Sequence, residues 1–358
     1  MRPTAAARLA SLALVVAAAP ALAGPLTPPA GVIQSTMKTL AEVEPRVAIN
    51  AVNTPGDNDL TPSLFKITQP GSYYLTGNIG VTTAVSAIEV AASNVTIDLG
   101  GFVITGAGVG VHGVHVPDST LRAVTVRDGA VSGFTGSGVS AAFVMACTLR
   151  ELTVRACAFG ARVGGNARVT DCTFTDNTST GLSMSGDGVV ENTVCSDNGG
   201  AGLTGQTAVV VRGSTFNDNG DRGLEILFNG LVTDCVAHSN GQHGFWLQSG
   251  GSISDSRASS NDEAGIYLNG YGSAVNNLCF NNTHGIIAAG DASRIDSNHV
   301  SYNTANGIQT LQANNFVVRN TARGNGVNYN IPAGEYGQII TNPGNGFVAS
   351  NPWANFSY

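Results

Sequence analysis

Charge is scarce in this chain. Only 11% of its 358 residues are Asp, Glu, Lys or Arg, where average usage is about 25%. Two lysines occur, Lys38 and Lys66, and the net charge is -7. A nucleic-acid partner needs a positive footprint, and an anionic lipid surface needs basic clusters, so the composition argues against both. The many Lys and Glu surface positions of a helix-rich enzyme are missing as well. After residue 23 no run of 18 apolar residues occurs, so no membrane span is expected. No Cys-x-x-Cys pair and no His pair at ligand spacing is present, so neither a metal nor a cofactor is called for. Gly-x-Ser-x-Gly, P-loop and dinucleotide fingerprints are absent.

Glycine, by contrast, is in excess: 46 residues, against about 7% in average usage. Hydrophobic content is an ordinary 42%, which excludes disorder by excess charge. These proportions point to an all-β protein surfaced with Ser, Thr, Asn and Gly. The first residues read as an address. Arg2 and Arg8 precede the apolar run Leu9 to Ala19, and Ala21-Leu22-Ala23 forms a small-x-small cleavage signature. Residues 1–23 are therefore expected to be a secretory signal peptide, cleaved near Ala23/Gly24, leaving a secreted or periplasmic protein. Residues 24–64 are Pro-rich and read as an N-terminal arm and cap, with room for one short helix near Thr39–Glu44.

A repeat organises the rest. From Asn177, steps of 21 reach Asn198, Asn219, Asn240, Asn261, Asn282 and Asn303, and Asn325 follows one residue late. A glycine stands four residues after most of them, as in Gly181, Gly202, Gly223, Gly244 and Gly265. Apolar columns keep the same phase, among them Val169, Val190, Val211 and Val232, then Phe174, Cys195 and Phe216, then Leu182, Leu203 and Leu224. Within each unit the apolar positions step by two, the period of a strand with one buried face. Turn residues break the runs after three to five positions, too short for helices.

A unit holding three short strands cannot bury its own apolar face, so it must stack in parallel on copies of itself at about 4.8 Å per rung. The expected fold is a single parallel β-helix over residues 65–330, with regular rungs from about 169. The Asn column is expected to form a stacked amide ladder, and the Gly column to supply a positive φ or a close approach. A second inward polar column, Cys172, Thr193, Ser214, Cys235, Ser256, Asn277, Asn298 and Asn320, fits a tight turn. Before Leu149 the rungs are longer; in all we expect ten or eleven, a rod of about 50 Å. Residues 331–358 are expected to cap the last rung, because an uncapped rung is an open sheet edge. Nothing in the repeat asks for a second copy, so a monomer is the default.

The pattern Val-x-x-(Asn/Cys/Ser)-x-Phe-x-x-Asn-x-x-x-Gly-Leu resembles the right-handed β-helix repeat of the pectin-lyase-like superfamily. The Lys66-to-Leu75 entry, the Asn94–Gly101 unit and the closing Asn351–Phe356 are similar to a group of exported bacterial β-helix proteins of unassigned activity. The resemblance implies a right-handed solenoid and leaves activity open, since such folds host lyases, hydrolases, epimerases and non-catalytic surface proteins. The catalytic sets that resemblance would bring are missing. No lysine follows Lys66, so only an arginine could serve a lyase as base, and no Asp-Asp or Asp-Pro-His-Asp occurs. Gln242-His243-Gly244 only echoes a hydrolase Gly-His-Gly.

Six cysteines in an exported chain invite disulfides. The repeat argues otherwise. Cys172 and Cys235 share a column three rungs apart, about 14 Å, beyond a bridging Cα separation of about 7 Å. All six are expected to be buried thiols.

One outward cluster stands out. Two residues after the repeat glycine the side chain should face solvent: Ser183, Thr204, Glu225, Trp246, Tyr267, Ile287 and Gln309. Trp246 and Tyr267 fall on neighbouring rungs, with Glu225 one rung before them and Arg222, His243, Glu263 and His284 beside them. Aromatic faces flanked by Glu, Arg and His suit a sugar ring, so Trp246, Tyr267, Glu225, Arg222 and His243 are the candidate polysaccharide-binding residues. The competing reading packs Trp246 and Tyr267 across strands beneath a surface Arg222–Glu225 pair. Asp176, Asp197 and Asp218 stack on consecutive rungs, where a shared calcium ion would relieve their repulsion; solvated turn residues are the simpler reading. His112 and His115 fall in a glycine-rich early rung and read as structural. Two function classes survive. The first is a non-catalytic exported module, structural or polysaccharide-binding. The second is a polysaccharide lyase or glycoside hydrolase using Arg222, Glu225, His243 and Glu263 as a non-standard acid/base set. The strict spacing leaves little material for the walls of a catalytic cleft, which favours the first.

Overall fold

A computed structural model describes residues 46–332, 336–341 and 351–358. The signal peptide, most of the arm with its helix near Thr39–Glu44, and part of the C-terminal cap lie outside the described residues. Those described contain strands and turns and no helix. They wind into a right-handed parallel β-helix whose rungs each carry three short strands, so that three columns of strands line its sides. One rung is represented by Leu203–Thr207, Val209–Arg212 and Thr215–Asn217. The first column opens with Ser63–Ile67 and ends with Val327–Asn330, giving thirteen strands paired in parallel. A short antiparallel partner, Pro55–Asp57, covers its first edge. Thirteen turns exceed the ten or eleven expected, because the early rungs are real but irregular in length.

Register explains that irregularity. Along the first column Lys66 pairs with Glu89, Glu89 with His115, His115 with Ser140 and Ser140 with Arg162, steps that vary between 22 and 26 residues. From Arg162 the steps lock to 21, through Ser183, Thr204, Glu225, Trp246 and Tyr267. In the early rungs the strands Val124–Ser132 and Thr148–Arg155 run through the corner that later separates the second column from the third. The column period therefore emerges only once that corner has closed.

The interior is a stack of like on like. Val169, Val190, Val211 and Val232 are fully buried above one another, as are Phe174, Cys195 and Phe216, and Leu182, Leu203 and Leu224. Phe216 and Phe245 meet edge to face at 6.4 Å. At one corner the Asn ladder forms as expected. Each amide Nδ2 from Asn177 to Asn303 donates to the Oδ1 of the next Asn at 2.8 to 3.1 Å, ending on Asn325. Each also donates to an inward carbonyl, such as Phe216 O from Asn240 at 2.9 Å. A second ladder, expected only as a tight turn, runs Asn277 to Asn298 to Asn320 to Asn355 at 2.9 to 3.1 Å. Asn355 is fully buried, and its strand Asn355–Ser357 pairs with Thr321 and Ala322, so the C-terminal segment continues the core.

The repeat glycine turns out to serve close approach. A Cβ on Gly223 would stand 2.6 Å from Gly244 O and 2.8 Å from Asn240 Nδ2. The left-handed conformations sit at the corners, on Asp176, Asp197, Asp218, Ser239 and Ser260 in one column and Asp171, Asn192, Asp234 and Asp255 in another. Short polar side chains tolerate that region best among non-glycine residues, which explains the Asp stack. Among the described residues those three aspartates do not converge on a common ion position. The six cysteines are free and buried.

Candidate functional site

The strand pairing puts Glu225, Trp246 and Tyr267 side by side on the outer face of the first column, as the spacing predicts. Arg222 and His243 come from the turns that lead into those strands, one residue before each repeat glycine. Two layered clusters result. In one, the Arg222 guanidinium lies 3.6 Å above the Trp246 ring and its Nη1 is held by Glu225 Oε2 at 2.9 Å. In the other, the His243 ring stacks on Tyr267 at 4.7 Å, and His243 Nε2 lies 3.1 Å from a Glu263 carboxylate oxygen. The clusters join through an edge-to-face contact of Trp246 and Tyr267 at 6.2 Å. All the sequence-predicted site residues are thus brought together. His284 sits one rung beyond and contacts Asn306 at 3.3 Å.

Trp246 is half-buried rather than bare. One face of the indole carries the chain's own guanidinium, and one face of Tyr267 carries its own imidazole. The surface offered to a ligand is therefore a polar rim around two aromatic rings: guanidinium, two carboxylates and an imidazole. A cation over a Trp face is itself attractive, by about 0.5–2 kcal/mol depending on desolvation. Clamping by Glu225 fixes the guanidinium there.

His243 is uncharged. The backbone N–H of Ala264 donates to its Nδ1 at 3.2 Å, so the ring proton sits on Nε2, facing Glu263. Burial, with Arg222 and His284 nearby, lowers its pKa to about 4. The Glu263 carboxylate does not reverse this because it is half exposed and screened by solvent.

Polar demand at this site is incompletely met. Among the described residues, eight buried side-chain polar atoms lack a hydrogen-bond partner in the protein, and three of them are here: Asp221 Oδ1, Arg222 Nε and Trp246 Nε1. Buried polar groups are nearly always satisfied, by protein or by ordered water, so three such atoms in one patch set it apart.

A second group escaped the sequence reading. Lys66, Glu89 and His115 occupy the same outward column at its other end. Lys66 Nζ contacts Asp57 at 2.5 Å, Asp59 at 2.8 Å and Glu89 at 2.7 Å. Asp57, above all, raises the ammonium's pKa, so it stays protonated. These three carboxylates come close enough to hold a metal ion, but the ammonium already lies among them. The signal was available: steps of 23 and 26 residues align Lys66, Glu89 and His115. A search in steps of 21 passes over it.

A family model described as right handed beta helix region matches residues 132–278. Among solved structures, the chain is similar to the Azotobacter vinelandii mannuronan C-5 epimerase AlgE6 A-module, at 16% identity, with 87% of this chain and 88% of that one covered and a TM-score of 0.58. It is also similar to the AlgE4 A-module of the same organism, at 16% identity, covering 74% of this chain and 89% of that one with a TM-score of 0.56. No curated protein matches by sequence. At such identities the likeness speaks for the fold alone. Strand topology, matched repeat region and likeness to these solenoids agree: the chain is a right-handed parallel β-helix protein.

Proposed function

We propose that this chain is an exported, non-catalytic β-helix protein that binds polysaccharide through the Arg222–Tyr267 patch. The observation that carries the reading is the trio of orphaned polar atoms, Asp221 Oδ1, Arg222 Nε and Trp246 Nε1, beside two aromatic rings. Sugar hydroxyls both donate and accept, so they answer two donors and an acceptor at once. The rings supply apolar edges for sugar C–H groups. The acids and bases present are engaged with one another: Glu225 with Arg222, Glu263 with His243. That mutual pairing supports binding over proton transfer. The mannuronan epimerase modules that share the fold make a polysaccharide the first partner class to test.

The test is a panel of acidic and neutral polysaccharides, scored for retention of the protein and for released products. Retention on at least one polymer is expected, lost in the double variant Trp246→Ala/Tyr267→Ala and weakened in Arg222→Ala, with no product released. Equal retention of wild type and variants, or retention on no polymer, would overturn the reading. Product release that disappears in Glu225→Gln or Glu263→Gln would hand the site to a lyase or hydrolase.

A further inference from the structure

The eight orphaned polar atoms do not scatter. Beyond the three at the Trp246 patch, three more cluster at the other end of the first column: Glu89 Oε2, His115 Nδ1 and Ser137 Oγ. Glu89 and His115 are register partners on adjacent strands, and Ser137 begins a third strand of that group. Only 2% of the Glu89 side chain is exposed. Its Oε1 meets Lys66, while Oε2 meets nothing in the protein.

Over these strands lies a cavity of about 230 Å3. Leu60, Pro62 and Val111 give it apolar walls, and Ser86, His112 and His115 give it polar ones. The two imidazoles stack with centroids 4.7 Å apart and planes 24° apart. Ser137 N–H donates to His112 Nδ1 at 2.9 Å, which places that ring's proton on Nε2. Burial, with His115 and Arg162 nearby, lowers the His112 pKa to about 4, and burial lowers that of His115. The ring pair is therefore neutral. Next to it stand three carboxylates against the one Lys66 ammonium, which is already shared among them.

These features select a ligand. An anion meets three carboxylates; the cations nearby are Lys66, already shared among them, and Arg162, whose guanidinium lies 5.0 Å over the Phe159 ring, so the net local charge stays negative. A drug-sized molecule needs roughly 300–1,000 Å3, so the cavity suits a single ring. His115, the one residue of the orphaned trio that lines the cavity, calls for a hydrogen-bonding hydroxyl, and Leu60, Pro62 and Val111 call for a C–H face. We propose that this cavity is a second ligand site, one that takes a single pyranose ring of a neutral sugar against the His112–His115 pair. His115 Nδ1 hydrogen-bonds a ligand hydroxyl. The site is separate from the Trp246 patch and does not depend on it.

The experiment titrates the full chain with neutral methyl pyranosides of glucose, galactose and mannose, and with glucuronate, while following the imidazole resonances by NMR. At least one neutral pyranoside should shift His112 and His115 saturably, with glucuronate at least about tenfold weaker. Ala84→Trp, at an exposed wall position, should abolish the shifts while leaving the fold intact. His115→Phe, which keeps a ring but removes the nitrogen, should weaken binding about tenfold. Trp246→Ala/Tyr267→Ala should change nothing here, which separates failure of this site from failure of the polysaccharide reading. The inference is overturned if no neutral pyranoside moves either histidine, if glucuronate binds as well, or if binding survives Ala84→Trp.

Discussion

Replacing Asn240 by alanine measures what the ladder contributes. The Asn240 side chain makes four hydrogen bonds and is 1% exposed. Its Oδ1 accepts from Asn219 N at 3.2 Å and Asn219 Nδ2 at 2.9 Å; its Nδ2 donates to Asn261 Oδ1 at 2.8 Å and Phe216 O at 2.9 Å. After truncation Asn219 Nδ2 keeps Cys195 O, and Asn261 Oδ1 keeps the Asn240 backbone N–H. Asn219 N–H keeps no partner. Three bonds at about 1 kcal/mol and one orphaned donor at about 1–3 kcal/mol sum to about 4–6 kcal/mol. That rivals the whole stability of many domains, about 5–15 kcal/mol. Because each rung contacts only its neighbours, the damage should concentrate there. Urea denaturation followed by circular dichroism should show the loss, and hydrogen exchange should speed most at Asn219 N–H. Asn314→Ala, the same change at an exposed position, should stay within about 0.5 kcal/mol. A cost below about 1 kcal/mol for Asn240→Ala would refute the ladder argument. Asn240→Asp sharpens the test, since the oxygen that replaces Nδ2 would face two acceptors, Phe216 O and Asn261 Oδ1. The folded state then raises the carboxyl pKa, so stability is lost as pH rises above about 3.9, the unfolded value.

Gly223→Ala should destabilise by about 1–3 kcal/mol in the same assay, since its Cβ would press on Gly244 O at 2.6 Å, a backbone atom that cannot swing away. His112 and His243 each have a folded pKa near 4, below the unfolded value near 6.5. Between those values the unfolded chain binds protons that the folded one refuses, so stability should be fully present above about pH 6.5 and fall on acidification towards 4. Replacing both by glutamine should flatten the pH dependence of the melting temperature. Burial alone pushes the Cys147 thiol up to about 12, and the other five are raised for the same first reason. A thiol reagent at neutral pH should therefore label none of the six cysteines in the folded protein and all of them in urea.

The fold was legible because parallel stacking in register repeats one environment at every rung. The corner that buries Asn219 also buries Asn240 and Asn261, so the same residue type returns every 21 positions. Where the corner is unformed, as in Val124–Ser132, the environment does not repeat and the period fades. That is why two or three early rungs were undercounted, and why Lys66, Glu89 and His115 were not seen as neighbours. The Arg222 guanidinium over Trp246 was illegible for another reason: spacing sets where a side chain starts, not where its far end rests. The same holds for His243 over Tyr267. The second amide ladder was hidden because Cys, Thr and Ser occupy its earlier positions and only Asn277, Asn298 and Asn320 show its amide form.

A solenoid makes leftover polar atoms unusually informative. Its inward polar groups are met rung by rung: each ladder Asn uses both amide hydrogens and its oxygen, and the corners are filled by residues that tolerate left-handed backbone. Folding alone therefore has little reason to leave polar atoms unmet. Seven of the eight that are unmet among the described residues lie on first-column strands or the turns leading into them. Six of them fall in two groups, around Glu89–His115 and around Arg222–Trp246, and Thr310 stands apart. The column between them carries Ser140, Arg162, Ser183, Thr204 and Glu225, and places His115 and Trp246 six strand spacings apart, about 29 Å. A polymer lying across these strands would meet one group and then the other with polar side chains between. The same first column thus carries both the ring-sized cavity and the proposed binding patch, and the rung spacing that sets the fold also sets the distance between them.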